Sequence, residues 1–507
     1  MSLALERSFF SGLAARWRRS KAPPRDDSVL GQAWTEQPYT HKASTLAGIA
    51  LLGVLWGGVV AFAGLNALYL CVSLIGCAFI LLDFRIGVVL LILFMPISNS
   101  YVFPHAMLGI TGLNPLNLVL IGTLGSCLLH ALSDGSLRNF LPRPLVWLYI
   151  APIVAAGVIG SRHVFEIAPA FHILELIEFD NVTGYVRDMV MKPILMVIFA
   201  LLVGAAVSKS GKPEKFLIPA LVSIWAMGLI VIVFVVQSGI SISQLASSDS
   251  REFLSTLGLH ANDLGRLFVF AYALLLFVWA ETKEPGFRFA LLATMLPAVT
   301  ALVLTFSRGA FVGFIVVNAY FLIWRRSAKT LILFGLLAVI ALFALPGAVY
   351  DRAATGEGEG LNAISAGRVN GLWIPLLPEV AHSPVYGSGL GSMMWSETMR
   401  AGGGANVLQA THPHNAYLQA LLDMGVAGLV LMCAYFIHVW RGFRKLGRDS
   451  HLVPALRGLF QGATAGLLSL LVSNITDGSL VPRPEQALLW LAIGMMYGHT
   501  SKGYSKQ

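Results

Sequence analysis

The sequence predicts an all-α polytopic membrane protein, on three observations: its composition, the length of its apolar runs, and the placement of its cations. Of 507 residues, 56% are hydrophobic and only 12% charged, with a mean hydropathy of +0.73. A water-soluble surface needs roughly a quarter of the chain charged. Cytosolic enzymes, secreted disulfide scaffolds and disordered regulators are therefore excluded. Cys71, Cys77, Cys127 and Cys433 all stand in apolar runs and form no C-x-x-C pair, so neither a metal site nor a disulfide framework is expected. The net charge of +9 lies mostly in short loops between apolar runs, which is the pattern of membrane orientation and not of nucleic-acid binding.

A helix needs about 20 apolar residues to cross a bilayer. After a basic tail over residues 1–43, runs near that length cover Ser44–Gly64, Leu65–Leu82, Ile86–Ser98, Leu113–Leu132, Pro144–Gly160, Val190–Val207 and Phe216–Gln237. They continue over Leu264–Ala280, Phe289–Phe306, Ala310–Trp324, Leu331–Val349, Ala416–Trp440, Ala455–Val472 and Gln486–Gly498. That makes about 14 transmembrane helices, of which Ile86–Ser98 and Gln486–Gly498 are short; residues 499–507 form a second tail. No cleaved signal peptide is expected, because a long polar tail precedes the first run.

Placing the N-terminus in the cytoplasm puts 25 of the 35 Lys and Arg on that side, with at least one in every inner loop. The outer side then carries three substantial loops, Ser161–Met189, Ser238–Asp263 and the large Tyr350–Asn415. The first contains the apolar-rich run Val164–Phe179, expected to lie in the interface. The third holds Gly356, Gly358 and Gly360 around two glutamates, which reads as a flexible strap.

Ten cations oppose the orientation bias, and several invite a chemical reason. Arg308, in Thr305-Phe306-Ser307-Arg308-Gly309-Ala310, must sit at the outer mouth of a helical hairpin, with Ser307 capping the next helix and Gly309 easing the turn. It is either a snorkelling anchor or an anion clamp. Arg368 lies in the large loop, near Trp373. Arg251 and Arg266 flank His260-Ala261-Asn262-Asp263, and Lys192 stands near the outer end of its span. For Lys192, Arg251 and Arg266 an ion pair or a headgroup contact competes with ligand binding. Guanidinium groups gathered over one face suit a phosphate or pyrophosphate.

The most informative stretch is Thr411-His412-Pro413-His414-Asn415-Ala416, where the large loop re-enters the membrane. Proline favours the first position of a helix, so His414 is expected in the first turn, where the dipole disfavours a charged ring and leaves it free to accept a proton. His412 is the weaker candidate. Two histidines two residues apart lack a third ligand at diagnostic spacing, so no metal is expected. A capping or packing role for His414 stays open. Gly387-Ser388-Gly389-Leu390-Gly391 follows no strand pattern and is read as a tight backbone turn, not a dinucleotide loop.

Together these residues resemble a family. His414-Asn415, nine residues, then Gly425-Val426-Ala427-Gly428 is similar to the His-Asn-x9-Gly-x-x-Gly signature of bacterial O-antigen ligases and the related polysaccharide polymerases. Ser307-Arg308-Gly309 resembles that superfamily's Ser-Arg-Gly element, and Arg368 with Trp373, Ser383-Pro384 and Gly387–Gly391 its outer-loop pattern. His260 to Gly265 is similar to its His-x-Asn-x-x-Gly element. Fourteen spans exceed the twelve of a typical ligase, a departure that bears on the acceptor.

The resemblance implies a membrane glycosyltransferase of the polyprenyl-phosphate-using, GT-C-like design, with an undecaprenyl-pyrophosphate-linked oligosaccharide as donor and an acceptor glycolipid in the outer leaflet. His414 would be the base, and Arg308 and Arg368 would steady the departing pyrophosphate. Arg251, Arg266, His260, Asn262, Lys192, His412, Asn415 and Trp373 would bind substrate. No cofactor is implied. The reaction would invert the anomeric carbon and polymerise repeat units, with the tail Met1–Lys42 a possible contact for a chain-length regulator. An O-antigen ligase and, less favoured, a lipid-linked oligosaccharide transporter are the alternatives. A transporter would spread charge through the membrane depth, whereas here it gathers at one face; Asp423 is the exception and is read as a packing or gating contact.

Overall fold

The computed structural model describes residues 47–504 except 49, 52, 59, 62–63, 99, 101–103, 105, 108–109, 136–139, 246–248, 330, 333–334, 337–338, 340–342, 344–346, 355–357, 359 and 402–409. Two units divide the chain, Met1–Cys71 and Val72–Gln507. In the first, the described residues of 47–61 are helical.

Along the chain run α1 (Leu65–Leu82), α2 (Phe84–Phe94), α3 (Pro115–Asp134), α4 (Arg143–Gly160), α5 (Val182–Lys209) and α6 (Pro213–Ser238). They are followed by α7 (Ala261–Glu281), α8 (Pro285–Leu304), α9 (Arg308–Arg325), α10 (Ala416–Gly447), α11 (Pro454–Ser473) and α12 (Ala487–Tyr504). Among the described residues, the nine from α3 to α11 are long and apolar enough to cross a membrane. The strands there are limited to a two-residue hairpin, Ala106–Met107 with Ile110–Thr111. This is an all-α polytopic membrane protein. The short run at Ile86–Ser98 falls within α2 and a 3-10 turn over Met95–Ile97, and the one at Gln486–Gly498 within α12. The runs Ser44–Gly64 and Leu331–Val349 lie in good part outside the described residues, as do Gly356 and both glutamates of the expected strap.

The centre of the main unit is α7, whose side chains are buried along nearly its whole length. Apolar side chains alone do not drive helices together in lipid, so close backbone approach matters. Three glycines spaced one turn apart on α11 supply it. A Cβ added at Gly458, Gly462 or Gly466 would stand 2.7, 2.5 or 2.8 Å from Phe277, Ala273 or Phe270 of α7. A second such crossing joins α12 to α5, where a Cβ at Gly494 would meet the Ala200 carbonyl at 2.3 Å. These tight pairs fix α7 and α11, whose ends carry the polar residues described below.

The expected interfacial run Val164–Phe179 forms two short helices, Val164–Glu166 and Ala170–Ile173. Val164, Phe171 and Phe179 face inward while Phe165 and Ile173 are exposed, which is an amphipathic arrangement.

α10 is broken at Gly425, where φ is +64°. Gly387–Gly391 of the large loop plugs the break. Ser388 and Gly389 donate to the Leu422 and Asp423 carbonyls at 2.8 and 3.0 Å, and Val426 and Ala427 donate to Pro384 and Val385 at 2.9 and 3.1 Å. Buried Asp423 completes the joint by accepting from Gly391 N, Ser392 N and Ser392 Oγ. The reading of Asp423 as a packing contact and of the glycine run as a tight turn matches this geometry. At Gly425 a Cβ would lie 2.3 Å from the Val385 backbone. Left-handed backbone alone costs a non-glycine residue about 1–2 kcal/mol. Gly425→Ala is therefore expected to lower the melting temperature and the yield of monodisperse protein sharply, whereas Gly286→Ala, in open space, should leave both unchanged.

Candidate active site

Four chain segments meet at one end of the bundle: the starts of α7, α9 and α10, and the turn between α11 and α12. At α7, His260 caps the helix by accepting from Asn262 N at 3.2 Å. At α9, Ser307 is the cap, accepting from Ala310 N as the sequence implied. The left-handed residue of that turn is Phe306, φ +47°, and not Gly309. Phe306 is fully buried, so packing pins it in the strained conformation.

α10 begins with its apolar run and not at Pro413. Its first residue is Ala416, and its cap is Asn415, which accepts from both Tyr417 N and Leu418 N at 3.0 Å. Asparagine is among the best capping residues, so it displaces the start past the proline. Pro413 and His414 stand before the helix, and the Pro413 carbonyl accepts from the Trp373 indole at 2.8 Å. His414 has φ +50°, a conformation few side chains adopt unless the surroundings impose it.

Asp477, in the turn after α11, ties these segments together. Its Oδ1 lies 3.0 Å from His414 Nδ1 and 3.5 Å from His412 Nε2, and accepts from Gly478 N at 2.8 Å. Its Oδ2 accepts from Asn262 Nδ2 at 2.7 Å and faces Arg266 at 3.4 Å. Asn262 in turn accepts from Ser307 Oγ at 3.0 Å. Burial pushes the Asp477 carboxyl up. The Arg266 charge and the two histidine contacts outweigh it and hold the group well below the usual carboxylate range. An ionised carboxylate only accepts hydrogen bonds, so the proton sits on His414 Nδ1. In the neutral ring that tautomer leaves the lone pair on Nε2.

His412 packs against His414, ring centres 4.3 Å apart. Burial, with smaller repulsion from Arg483 and His414, pulls it down to about 4 despite Asp477. Arg266 is buried and ion-paired with Asp263, Asp477 and Glu485. Burial, then repulsion from Asp263, lifts Glu485 to about 7.

Beside this network opens a cavity of about 360 Å³, lined by Arg308, Arg352, Arg368, Trp373, Ser307 and Asp477 among others. Arg368 donates through Nη1 to the Thr476 carbonyl. Burial lowers the pKa of Arg368, and repulsion from Arg308 and Arg266 adds to this against the pull of Asp477. Arg352 is lowered by burial and by Arg308 and Arg368. Guanidinium groups that repel one another in a partly desolvated cavity are arranged for an anion.

The sequence reading gathered Arg308, Arg368, Trp373, His412, His414, Asn262 and Arg266, and the structure brings them to this place. It assigns some of them other work. His260 and Asn415 are helix caps, Asn262 and Arg266 hold Asp477, and Trp373 holds the histidine loop. Lys192 lines a different cavity, paired with Asp188 at 2.8 Å. The Arg251 side chain lies outside the described residues. Of the carboxylates that could compete for the base role, Glu379 accepts from Thr398 N and Oγ1 and is committed to the loop, while Glu357 and Glu359 lie outside the described residues.

One residue escaped the sequence: Asp477 belongs to no recognised motif, and its one signal was polarity beside an apolar run. Arg352 stood among the ten outer cations but was given no role. Asp477 also corrects the expectation that the histidine pair lacks a third ligand. Its carboxylate and both rings place ligand atoms within 4.8 Å of one another, a set that could hold a metal ion. The carboxylate oxygens are already engaged by Asn262, Gly478 and Arg266. A neighbouring guanidinium works against a cation there.

Residues 290–433 match the family model described as O-antigen ligase. Over this stretch the chain is similar to the O-antigen ligase family. No curated protein matches the chain. The matched stretch takes in Arg308, Arg352, Arg368, Trp373, both histidines and the Gly425 break, while Asn262, Arg266 and Asp477 stand outside it.

Proposed function

We propose that the protein transfers a saccharide from a polyprenyl-pyrophosphate carrier to a hydroxyl group, with inversion at the anomeric carbon. The observation that supports this best is that Asp477, which holds His414 through Nδ1, also lines the three-arginine cavity. His414 takes the acceptor proton while the hydroxyl oxygen forms the bond to the anomeric carbon. The bond from that carbon to pyrophosphate breaks on the opposite face. Arg308, Arg352 and Arg368 stabilise the charge that develops on the leaving oxygens. Arginines can supply the charge that a divalent cation supplies elsewhere, so the reaction needs no metal.

The cation distribution supports cytoplasmic termini and an active site on the outer face of the inner membrane, carried by about 14 spans of GT-C-like design. Extra spans and long outer loops favour polymerisation of lipid-linked repeat units over ligation of a finished chain to lipid A-core or protein. Product analysis separates them. Loss of the gene leaves single repeats still attached for a polymerase and unattached long chains for a ligase.

A charge-retaining change tests the anion site. Arg308→Lys and Arg368→Lys are each expected to cut transfer by about 10-fold or more, because an ammonium cannot reproduce the bidentate fork. Initial rates with a lipid-linked donor in proteoliposomes check this, and rates near wild type for both variants contradict it.

A further inference from the structure

A second and larger cavity, of about 690 Å³, is lined in part by the residues that follow Asp477, Ser479 to Pro484. The two cavities share no lining residue, yet they approach within a few residues along the chain. Asp477 lines the arginine cavity, and Ser479 and Arg483 line the second. Gln419 and Asp423 of α10, just past His414, also face it. Arg483 lies close enough to His412 to act on its charge. The turn that holds the imidazole pair therefore contributes residues to both chambers.

The lining is divided in a way that fits an amphiphile. Arg483, Lys192 and Arg187, with Asn114, Asn117 and Gln419, offer charge and amide groups; of the carboxylates Glu178, Asp188 and Asp423 on the same wall, Asp188 is paired with Arg187 and Lys192, and Asp423 is engaged by Gly391 and Ser392. Met95, Leu120, Met189, Leu195 and Met196 offer an apolar wall. Among the described residues no carboxylate lies within 4.0 Å of the Arg483 guanidinium, and Gln419 Oε1 is buried with no hydrogen-bond partner. Lys192 pairs with Asp188 alone and is 61% exposed, so its ammonium can reach a ligand. The volume falls within the roughly 300–1,000 Å³ of small-molecule sites.

Inverting displacement requires the nucleophile to arrive from the face opposite the leaving group. With the leaving pyrophosphate in the arginine cavity the acceptor must come from elsewhere, and the second cavity is lined by the next residues of the same turn. We propose that this cavity is the acceptor site, taking the saccharide head of a phosphorylated glycolipid, with Arg483 and Lys192 on its phosphate and Asn114, Asn117 and Gln419 on its hydroxyls. The inference rests on the transfer reaction proposed above.

The test uses full-length protein in proteoliposomes and a photoreactive, short-chain polyprenyl-pyrophosphate N-acetylglucosamine as probe. Wild-type protein is expected to give crosslinks in two peptide groups, one around residues 308–368 and one around 114–120, 187–196 and 479–484. A Lys192→Gln/Arg483→Gln double variant should lose the second group at least 10-fold and keep the first. With lipid-linked donor at fixed concentration, the same variant should need at least 10-fold more acceptor for half-maximal transfer, at an unchanged donor requirement. Competition by unlabelled polyprenyl-pyrophosphate saccharide or by a lipid A-type phosphoglycolipid then tells which carrier the cavity takes. An unchanged second group, or an equal rise in the donor requirement, overturns the acceptor site while leaving transfer intact. Capture of the probe in both cavities with no transfer by wild-type protein overturns the reaction itself.

Discussion

His414→Ala is expected to lower glycosyl transfer by about 10²–10⁴-fold, the range over which a positioned general base contributes. The variant should insert, resist heat and bind donor as the wild type does, because the ring is partly exposed and its one described hydrogen bond runs to Asp477. Relief of the φ +50° backbone does not separate the roles, since alanine carries the same penalty. His414→Gln keeps a polar side chain of similar reach and should be as inactive, because an amide cannot accept the proton. Initial rates for both variants against donor binding check the expectation. Rates within a few-fold of wild type would move the base elsewhere.

The second large effect is expected from Asp477→Asn. The amide oxygen can still accept from Gly478 N, so the turn after α11 should fold, while its NH2 faces the Asn262 donor and loses that contact. It no longer holds the proton on His414 Nδ1 as a carboxylate does, and it cannot favour the imidazolium that forms as the acceptor is deprotonated. A fall in kcat of about 10²–10⁴-fold with donor and acceptor KM little changed is the outcome expected of a residue that positions the base. The loss of one carboxylate also leaves buried Arg266 with Asp263 and Glu485. Melting temperature measured beside kcat separates the two consequences. A drop in stability with kcat intact would make Asp477 a structural anchor only.

Much of this architecture was legible in the chain because apolar length is a strong signal in lipid: the helices from α3 to α9, and α10 and α11, stand where hydrophobic runs placed them. Helix starts were harder. Pro413 suggested a first turn containing His414, but Asn415 is the better cap and the helix begins after it. Gly309 suggested a glycine turn, but buried Phe306 takes the left-handed position. Arg308, Arg368 and His414 could be named because charge is scarce in such a sequence and each breaks the pattern. Asp477 could not, since its partner His414 is 63 residues away and no spacing rule links them. Lys192 illustrates the converse. It was grouped with the other outer cations by topology, and the fold sends it to a separate chamber. One-dimensional order tells which end of a helix a residue occupies, but not which side of a shared turn it faces.

Purified protein in proteoliposomes, supplied with an undecaprenyl-pyrophosphate oligosaccharide of known anomeric configuration and a glycolipid acceptor in chelator-containing buffer, tests the central claim most directly. The expected result is a new glycosidic bond of inverted configuration with release of undecaprenyl pyrophosphate, absent with His414→Ala. Retained configuration, abolition by the chelator, or movement of the donor across the bilayer with no bond formed would contradict it.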